Sequence, residues 1–302
     1  MMFRLGAGVA FAACAAAGMV SAGASPDTRA QQQRIRSVSH TVEIHATAID
    51  RQGRLIPDLT VADFEIQDDG KTQAITVFDA GVQPITIAVL LDESPSVFES
   101  SERIARGVAA FNRQLLPGDR GTLGAFSHTV RLEPKLSRNL TRLLSDLPLE
   151  RPRFPAGTAV WDALDVAAGV LAPESGRRVV LILTDAEDNS SRVDPEDVRD
   201  RFAREGTMVY AIGVKGDGGL PVRELRDLTR DSGGFYFELK PNDDLVKTFS
   251  RVADELHRQY LIGYAAPALD GRSHEISVRV KRSGVSVRTR RAYVAPKGGG
   301  RP

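Results

Sequence analysis

The sequence predicts an α/β protein in which a doubly wound, mainly parallel sheet is inserted in a small β-sandwich-like module. From Pro84 onward, short apolar runs alternate with stretches of helical periodicity, an order typical of parallel sheets covered by helices. On both sides of this region, at residues 38–80 and 268–295, strand-like alternation occurs without a long helix. Because neither β segment has enough strands for a stable sheet alone, we expect the two to pack together.

The first β segment opens with a half-buried strand. In "TVEIHATAID", apolar residues alternate with polar ones, a period of two. The dipeptide Asp69-Gly70 then separates two shorter strand patterns and predicts a tight hairpin. The last β segment repeats this organisation, since "HEISVRV" and "VSVRTRRAYV" flank Ser283-Gly284. These patterns predict the two halves of the β module.

The central region, predicted as one domain over residues 84–264, contains strands that are apolar throughout. "ITIAVLLD" and "RRVVLILTD" lack polar alternation, which is typical of strands buried on both faces of a parallel sheet. Between such strands, "SERIARGVAAFNRQLL" has apolar residues spaced four, three and four apart and predicts a helix. "PEDVRDRFAREG" begins with Pro and ends with Gly, as helices often do.

Residues 1–24 have the pattern of a signal peptide. One Arg precedes an apolar run rich in small residues, and Ala22-Gly23-Ala24 offers a cleavage site. We therefore expect an exported protein, periplasmic or secreted. A retained membrane anchor, or a lipid anchor at Cys14, is the less favoured alternative. Residues 25–37 are predicted to be a flexible lead-in and residues 296–302 a disordered tail.

Charge and cysteine content exclude several classes of function. The formal net charge is +1, so overall charge predicts no nucleic-acid partner. The basic cluster in residues 272–301 is interpreted as the solvent face of a hairpin, with an anionic polysaccharide or an envelope membrane surface as the alternative. Cys14, the only cysteine, lies in the predicted signal peptide, so the mature chain has no thiol nucleophile and no cysteine-based metal site.

Oxygen-bearing side chains follow two of the buried strands. Asp92, Ser94 and Ser96 come at the end of the first, and Asp185 comes at the end of "LILTD". Thr158 follows the loop "FPAG" and begins a predicted helix. The loop after Asp92 has no glycine, which argues against a dinucleotide or nucleotide site. Because ligands bind at the carboxyl ends of such strands, and hard cations prefer oxygen ligands, these residues are candidate metal ligands.

These three elements, in this order, resemble the von Willebrand factor A-type domain and its metal-ion-dependent adhesion site. Asp92, Ser94 and Ser96 match the first element, Thr158 the second and Asp185 the third. The resemblance covers residue 84 to about residue 262, and the flanking β segments resemble those of the exported bacterial VWFA-related branch. It implies a bound Mg²⁺ or Mn²⁺ and a partner protein whose Asp or Glu completes the coordination. Ala186 departs from the family pattern, which has glycine there.

Other interpretations of these residues stay open at the level of sequence. Asp92, Thr158 and Asp185 could each cap the helix that follows, and Ser94 and Ser96 could belong to an ordinary turn. A scaffold protein with a vestigial metal site is a second hypothesis, supported by Ala186. A metal-assisted hydrolase is a third, but we expect no enzyme, because the sequence contains no G-x-S-x-G motif and its five histidines form no pair at metal-ligand spacing.

Overall fold

The computed structural model describes residues 40–94, 97, 100–147, 157–185, 187–214, 223–240 and 243–298. The predicted signal peptide, the lead-in, Ser96 and Ala186 lie outside the described residues. The strands are β1 (Thr41–Asp50), β2 (Phe64–Asp68), β3 (Lys71–Gln73), β4 (Val77–Asp79), β5 (Ile85–Asp92), β6 (Arg120–Phe126), β7 (Val130–Leu132), β8 (Arg177–Thr184), β9 (Met208–Val214), β10 (Tyr236–Leu239), β11 (Tyr260–Ala265), β12 (Ser273–Val280), β13 (Val285–Arg288) and β14 (Ala292–Val294). The helices are α1 (Ser101–Arg113), α2 (Leu140–Asp146), α3 (Val160–Leu171), α4 (Pro195–Glu205), α5 (Arg223–Asp231) and α6 (Leu245–His257), and a short 3₁₀ helix spans Val61–Asp63.

The central sheet has six strands in the order β10-β9-β8-β5-β6-β7. All neighbouring strands pair in parallel except β6 and β7, which are antiparallel. The first strand of the sheet, β5, therefore lies between β6 and β8, and the chain moves to one side of β5 before crossing to the other. Every residue of β5 is buried, as its unbroken apolar run predicts. The predicted doubly wound sheet is confirmed.

Helices cover both faces of this sheet and enclose two apolar cores. The first core packs α1, α2 and α6 on the sheet around Phe111, Leu140 and Phe249. The second packs α3, α4 and α5 around Trp161 and Phe202. Helix α2, a single short segment of seven residues, was not predicted from the sequence. No helix in the described part of the chain is long and apolar enough to span a membrane.

The segments before and after the central region form two antiparallel sheets. One has the order β13-β1-β11-β4 and the other β14-β12-β2-β3. Each sheet combines strands from both ends of the chain: β1 pairs with β11 and β13, and β12 pairs with β2. The two sheets share a core that includes Ile44, Phe64, Ile66, Tyr260 and Tyr264. This confirms the prediction that the two β segments form one module.

The last described residues, up to Gly298, form more backbone pairs than their composition suggests. Strand β11 follows α6 after only two residues and pairs with β1 and β4, so it lies in a flanking sheet although its pattern continues that of the central region. In the segment predicted to be a disordered tail, Lys297 forms a bridge with Asp270, and the Gly298 N–H donates to the Leu269 carbonyl at 2.7 Å. Long-range backbone pairing of this kind leaves no composition signal.

Two helical glycines allow a matched test of the packing between α1 and α6. A Cβ at Gly107 of α1 would lie 2.4 Å from the Phe249 ring of α6, whereas a Cβ at exposed Gly169 of α3 would meet nothing closer than 3.5 Å. We expect Gly107→Ala to lower the free energy of unfolding by about 1–3 kcal/mol through overpacking. Gly169→Ala should raise it by about 0.5–1 kcal/mol through helix propensity. Urea unfolding of both variants measures these free energies. If both substitutions stabilised the protein equally, the close packing of Gly107 against Phe249 would be contradicted.

Candidate metal centre

The centre of the candidate site is the carboxyl end of β5, beside the end of β8. The backbone register places Leu91 opposite Leu183, so that the chain leaves the sheet at Asp92 on one strand and at Asp185 just after the other. The Thr184 hydroxyl donates a hydrogen bond to Asp92 Oδ2 at 2.6 Å. The strand order reverses at this pair of strands, which is where open α/β sheets bind their ligands.

Ser94 and Asp185 lie in the same group of buried oxygens. The Ser94 hydroxyl donates to Asp185 Oδ2 at 3.3 Å, and the Ser94 N–H donates to Asp92 Oδ1 at 2.7 Å. Asp92, Ser94 and Asp185 are each less than 10% exposed. The structure therefore brings together three of the five predicted ligands. Ser96, the fourth, lies outside the described residues.

Thr158 contacts the loop that follows Asp185. Its carbonyl accepts hydrogen bonds from the Asn189 and Ser190 N–H groups at 3.0 and 3.2 Å, and its own N–H donates to Asn189 Oδ1 at 2.8 Å. At Gly157 a Cβ would lie 1.9 Å from the Ser190 hydroxyl, so glycine is what permits this close approach. Thr158 is 5% exposed.

The structure also addresses the helix-capping alternative. The N-cap of α3 is Ala159, not Thr158, and the first N–H groups of α3 donate to Asp188 Oδ1 and the Ser191 hydroxyl instead. The N-caps of α1 and α4 are Ser100 and Asp194. Thr158, Asp92 and Asp185 are therefore not the N-caps of α3, α1 and α4.

Asp92 is electrostatically strained. Burial raises the pKa of its carboxyl to about 6, and the nearby charge of Asp185 adds to this, although hydrogen bonds from Thr184 and Ser94 oppose the shift. No basic side chain among the described residues forms an ion pair with Asp92. The adjacent Glu93 is buried and pairs with Arg131 at 2.6 Å, so its charge is compensated. A buried carboxylate beside a second one is a place where a cation would be stabilised.

The donor set fits a hard divalent cation. Asp92 and Asp185 offer carboxylate oxygens, and Ser94 and Thr158 offer hydroxyls, while sulfur and imidazole ligands are absent from the described part of this group. Each carboxylate oxygen has two lone pairs, so the hydrogen bonds to Asp92 leave acceptor capacity for a metal. The residues present are thus compatible with Mg²⁺ or Mn²⁺.

A second cluster that could hold a metal lies in the flanking sheets. Asp68, Asp69 and His274 each place one ligand atom within 4.8 Å of the others. Asp68 also accepts hydrogen bonds from the hydroxyls of Tyr264 at 2.6 Å and Tyr293 at 2.9 Å. The His274 ring nitrogens contact Asp68 and, 3.2 Å away, Asp270. These contacts make the cluster a satisfied hydrogen-bond network in its own right, and sequence inspection did not identify it.

Comparisons with known proteins agree with this fold. A family model described as the von Willebrand factor type A domain matches residues 86–251. A von Willebrand factor type A protein from Catenulispora acidiphila is 14% identical over 78% of this chain and 74% of that chain, with a TM-score of 0.50. Proximal thread matrix protein 1 of the mussel byssus, with a zinc-occupied MIDAS motif, is 20% identical over 64% of this chain and 50% of that chain, with a TM-score of 0.51. This chain thus spans half of the mussel protein, and such identities show the fold alone. A comparison with curated proteins found no match.

The raised pKa of Asp92 predicts a gain in stability when its charge is removed. A raised pKa means that the folded, metal-free protein is destabilised above about pH 6 and regains stability as the pH falls towards 3.8, the ordinary value. We expect Asp92→Asn to raise the free energy of unfolding in EDTA at pH 7 by on the order of 2 kcal/mol, and by less at pH 5. Urea unfolding measures this, with exposed Asp254→Asn as the control. If Asp92→Asn were less stable than wild type at pH 7, the charged Asp92 carboxylate would not be destabilising the folded protein.

Stability at the His274 cluster also falls as the pH rises, but here the charged form of the side chain stabilises the fold. Burial acts to lower the pKa of His274, but hydrogen bonds with Asp270 and Asp68 and the charges of Asp68 and Asp69 outweigh it and raise the pKa above 6.5. The resulting stability is fully present below pH 6.5 and is lost as the pH rises through the folded pKa. We expect His274→Gln to lower the melting temperature more at pH 6 than at pH 9. Thermal unfolding at both values checks this, and a pH-independent difference would argue against it.

Proposed function

Because the chain belongs to the von Willebrand factor type A family, we propose that it binds a divalent cation through Asp92, Ser94, Ser96, Thr158 and Asp185. The bound ion would capture an Asp or Glu side chain of a partner protein. The observation that carries this proposal is the convergence of Asp92, Ser94 and Asp185 at the reversal of strand order. Domains of this family are generally interaction modules rather than enzymes.

The ligand chemistry supports this role for the metal. Mg²⁺ requires six oxygens at about 2.0–2.1 Å and usually keeps several waters. Two carboxylates balance the charge of the ion, and the hydroxyls of Ser94, Ser96 and Thr158 add no further negative charge. Because its other ligands would be neutral hydroxyls and exchangeable water, the ion would remain a Lewis acid, and a partner carboxylate could replace a bound water. We propose Mg²⁺ or Mn²⁺ as the resident ion, although the mussel protein holds zinc at its MIDAS motif.

Catalysis is less well supported than binding. Hydrolysis at a metal needs a base that can activate water, and Glu93, the acid next to Asp92 in sequence, is committed to an ion pair with Arg131. Asp188, another acid near the site, is occupied by the N–H of Val160 and the hydroxyl of Ser191. We therefore propose a binding protein. A scaffold with a vestigial metal site is the second candidate, because Ala186 replaces the glycine of the family pattern.

We propose further that the protein acts outside the cytoplasm. The pattern of residues 1–24 supports cleavage after Ala24 and release into the periplasm or the medium. The A domain predicted over residues 84–264, whose last strand β11 belongs to the flanking sheets, would then form the mature exported unit with the β segments at 38–80 and 268–295. The partner would be another envelope or extracellular protein.

Calorimetric titration of the purified mature protein with Mg²⁺ and with Mn²⁺ tests the metal site. We expect one site per chain, a loss of at least tenfold in affinity for Asp92→Asn, and wild-type affinity for the control Asp254→Asn, whose carboxylate is exposed beside Arg258. We also expect a synthetic peptide with a single Glu to bind the metal-loaded protein and to be released by EDTA.

His274→Gln separates the two candidate metal clusters. If this variant loses the metal and Asp92→Asn keeps it, the ion belongs to the cluster of Asp68, Asp69 and His274, and the proposal fails. If neither metal binds the wild-type protein, the vestigial scaffold is correct. If peptide binding persists in EDTA, the metal does not carry the interaction.

A further inference from the structure

A cavity of about 250 Å³ lies at the opposite end of β8 from the candidate metal site. It is bounded by the first residues of β8, the connection from α4 to β9, one face of β1 and the connection between β13 and β14. With eight residues rising about 3.3 Å each, β8 separates its two ends by roughly 25 Å. Since ligand sites for drug-sized molecules measure about 300–1,000 Å³, this cavity suits an ion or a very small molecule.

Arg177, the first residue of β8, brings a buried positive charge to this cavity. It is only 6% exposed. Its two terminal nitrogens donate to neutral acceptors, the Leu256 carbonyl and Gln259 Oε1. Its Nε–H is buried and has no hydrogen-bond partner among the described residues. The charges of Asp119 and Glu255 favour the charged guanidinium but neither forms an ion pair with it, so the unpaired Nε–H remains a donor for an anion.

Arg290 and His45 also line this cavity, and each has a further buried nitrogen without a hydrogen-bond partner among the described residues. Arg290 donates from Nη2 to the Glu43 carbonyl at 2.7 Å, while its Nε–H is buried and has no partner in the described structure. The Nδ1 atom of His45 is also buried and without a described partner. Burial, together with the charges of Arg177 and Arg290, lowers the pKa of His45 to about 3, so the imidazole is neutral and lies near both guanidinium groups.

The charges that line the cavity leave an excess of one positive charge. Arg177, Arg178 and Arg290 contribute guanidinium groups, and Glu43 and Glu205 contribute carboxylates. No arginine of this set forms an ion pair with a carboxylate in the part of the chain that the structure describes. Glu205 already accepts a hydrogen bond from Arg201 at 2.8 Å. The arrangement favours a ligand with one negative charge and several acceptor oxygens.

From these contacts we propose that the cavity formed by His45, Arg177, Arg178 and Arg290 binds a small oxyanion, either inorganic phosphate or a small carboxylate. The Nε–H groups of Arg177 and Arg290 donate to its oxygens. The His45 ring donates from Nδ1 once its tautomer places the proton there. The anion joins the flanking sheets to the central sheet, because His45 lies on β1 and Arg177 on β8.

Thermal unfolding in EDTA, with phosphate, acetate or chloride at matched ionic strength and pH 7, tests the proposal. We expect phosphate or acetate to raise the melting temperature in a saturable way and chloride to have no such effect. Whichever of phosphate and acetate saturates the effect at the lower concentration is the class of oxyanion that the cavity binds. In parallel, nuclear magnetic resonance should show a change in the ¹⁵N shift of His45 Nδ1, with His128, which lies outside the cavity, unchanged.

Two arginine variants locate the effect. We expect Arg290→Gln to lower the affinity for the oxyanion at least tenfold. The neighbouring Arg291 has a side chain that is 61% exposed, and the Arg291→Gln variant should bind the oxyanion with wild-type affinity. Arg177→Gln should abolish binding, and if this buried substitution prevents folding, Arg290→Gln decides the question. Equal responses to all three anions, or an unchanged His45 resonance, would overturn the proposal and leave a water-filled cavity.

This inference stands apart from the metal site. Asp92→Asn, studied in EDTA, should bind the oxyanion with wild-type affinity because the two sites lie at opposite ends of β8. Loss of oxyanion binding in that variant, with its fold intact by circular dichroism, would show that the effect does not arise at the cavity and would count against the proposal.

Discussion

The pairing of β5 with β8 is the constraint on which the candidate site depends. Both strands are buried, so their backbone groups must be satisfied within the sheet, and the continuous parallel ladder fixes where each chain leaves it. Adjacent strands lie about 4.8 Å apart, so Asp92 and Asp185 are held close together at a depth where water is scarce. The fold therefore imposes a repulsion that the protein itself only partly offsets, through Thr184 and Ser94. A site that is strained when empty of metal is one in which binding a cation returns stability.

A second buried polar network joins the flanking sheets to the central sheet. Gln259 donates to the Thr47 hydroxyl of β1 at 2.6 Å and to the Tyr210 hydroxyl of β9 at 3.1 Å. Tyr210 in turn donates to Glu255 of α6 at 2.6 Å, and Glu255 pairs with Arg288. Burying any of these polar groups without a partner would cost free energy. The network therefore favours one arrangement of the flanking sheets against the central sheet. The oxyanion cavity lies beside this network, where the pairing of polar groups is incomplete.

The sequence predicted the parts of the fold that depend on local periodicity. Local patterns predicted β5 and β8 from their unbroken apolar runs, α1 from its helical spacing, and α4 from the Pro and Gly at its ends. They also identified the Asp and Ser residues at the strand ends. Thr184 was missed because a threonine inside an apolar run looks like an ordinary strand residue. The cavity was missed for a different reason: His45, Arg177 and Arg290 are separated by more than a hundred residues and meet only through the pairing of β1 with strands from the other end of the chain. Local sequence patterns do not predict contacts between residues so far apart in the chain.

The geometry around Asp92 limits how a metal and a partner can bind. Oδ2 accepts from Thr184 and Oδ1 from the Ser94 N–H, and the Ser94 side chain also hydrogen-bonds to this carboxylate. A cation held through the remaining acceptor capacity, or through a water, would keep the strand-end hydrogen bonds intact. Since two carboxylates already balance a divalent charge, an incoming carboxylate adds a negative charge that only displaced water and direct coordination can compensate. Under the proposed function, capture of a partner carboxylate would therefore depend on the bound metal and be reversed when the metal is removed.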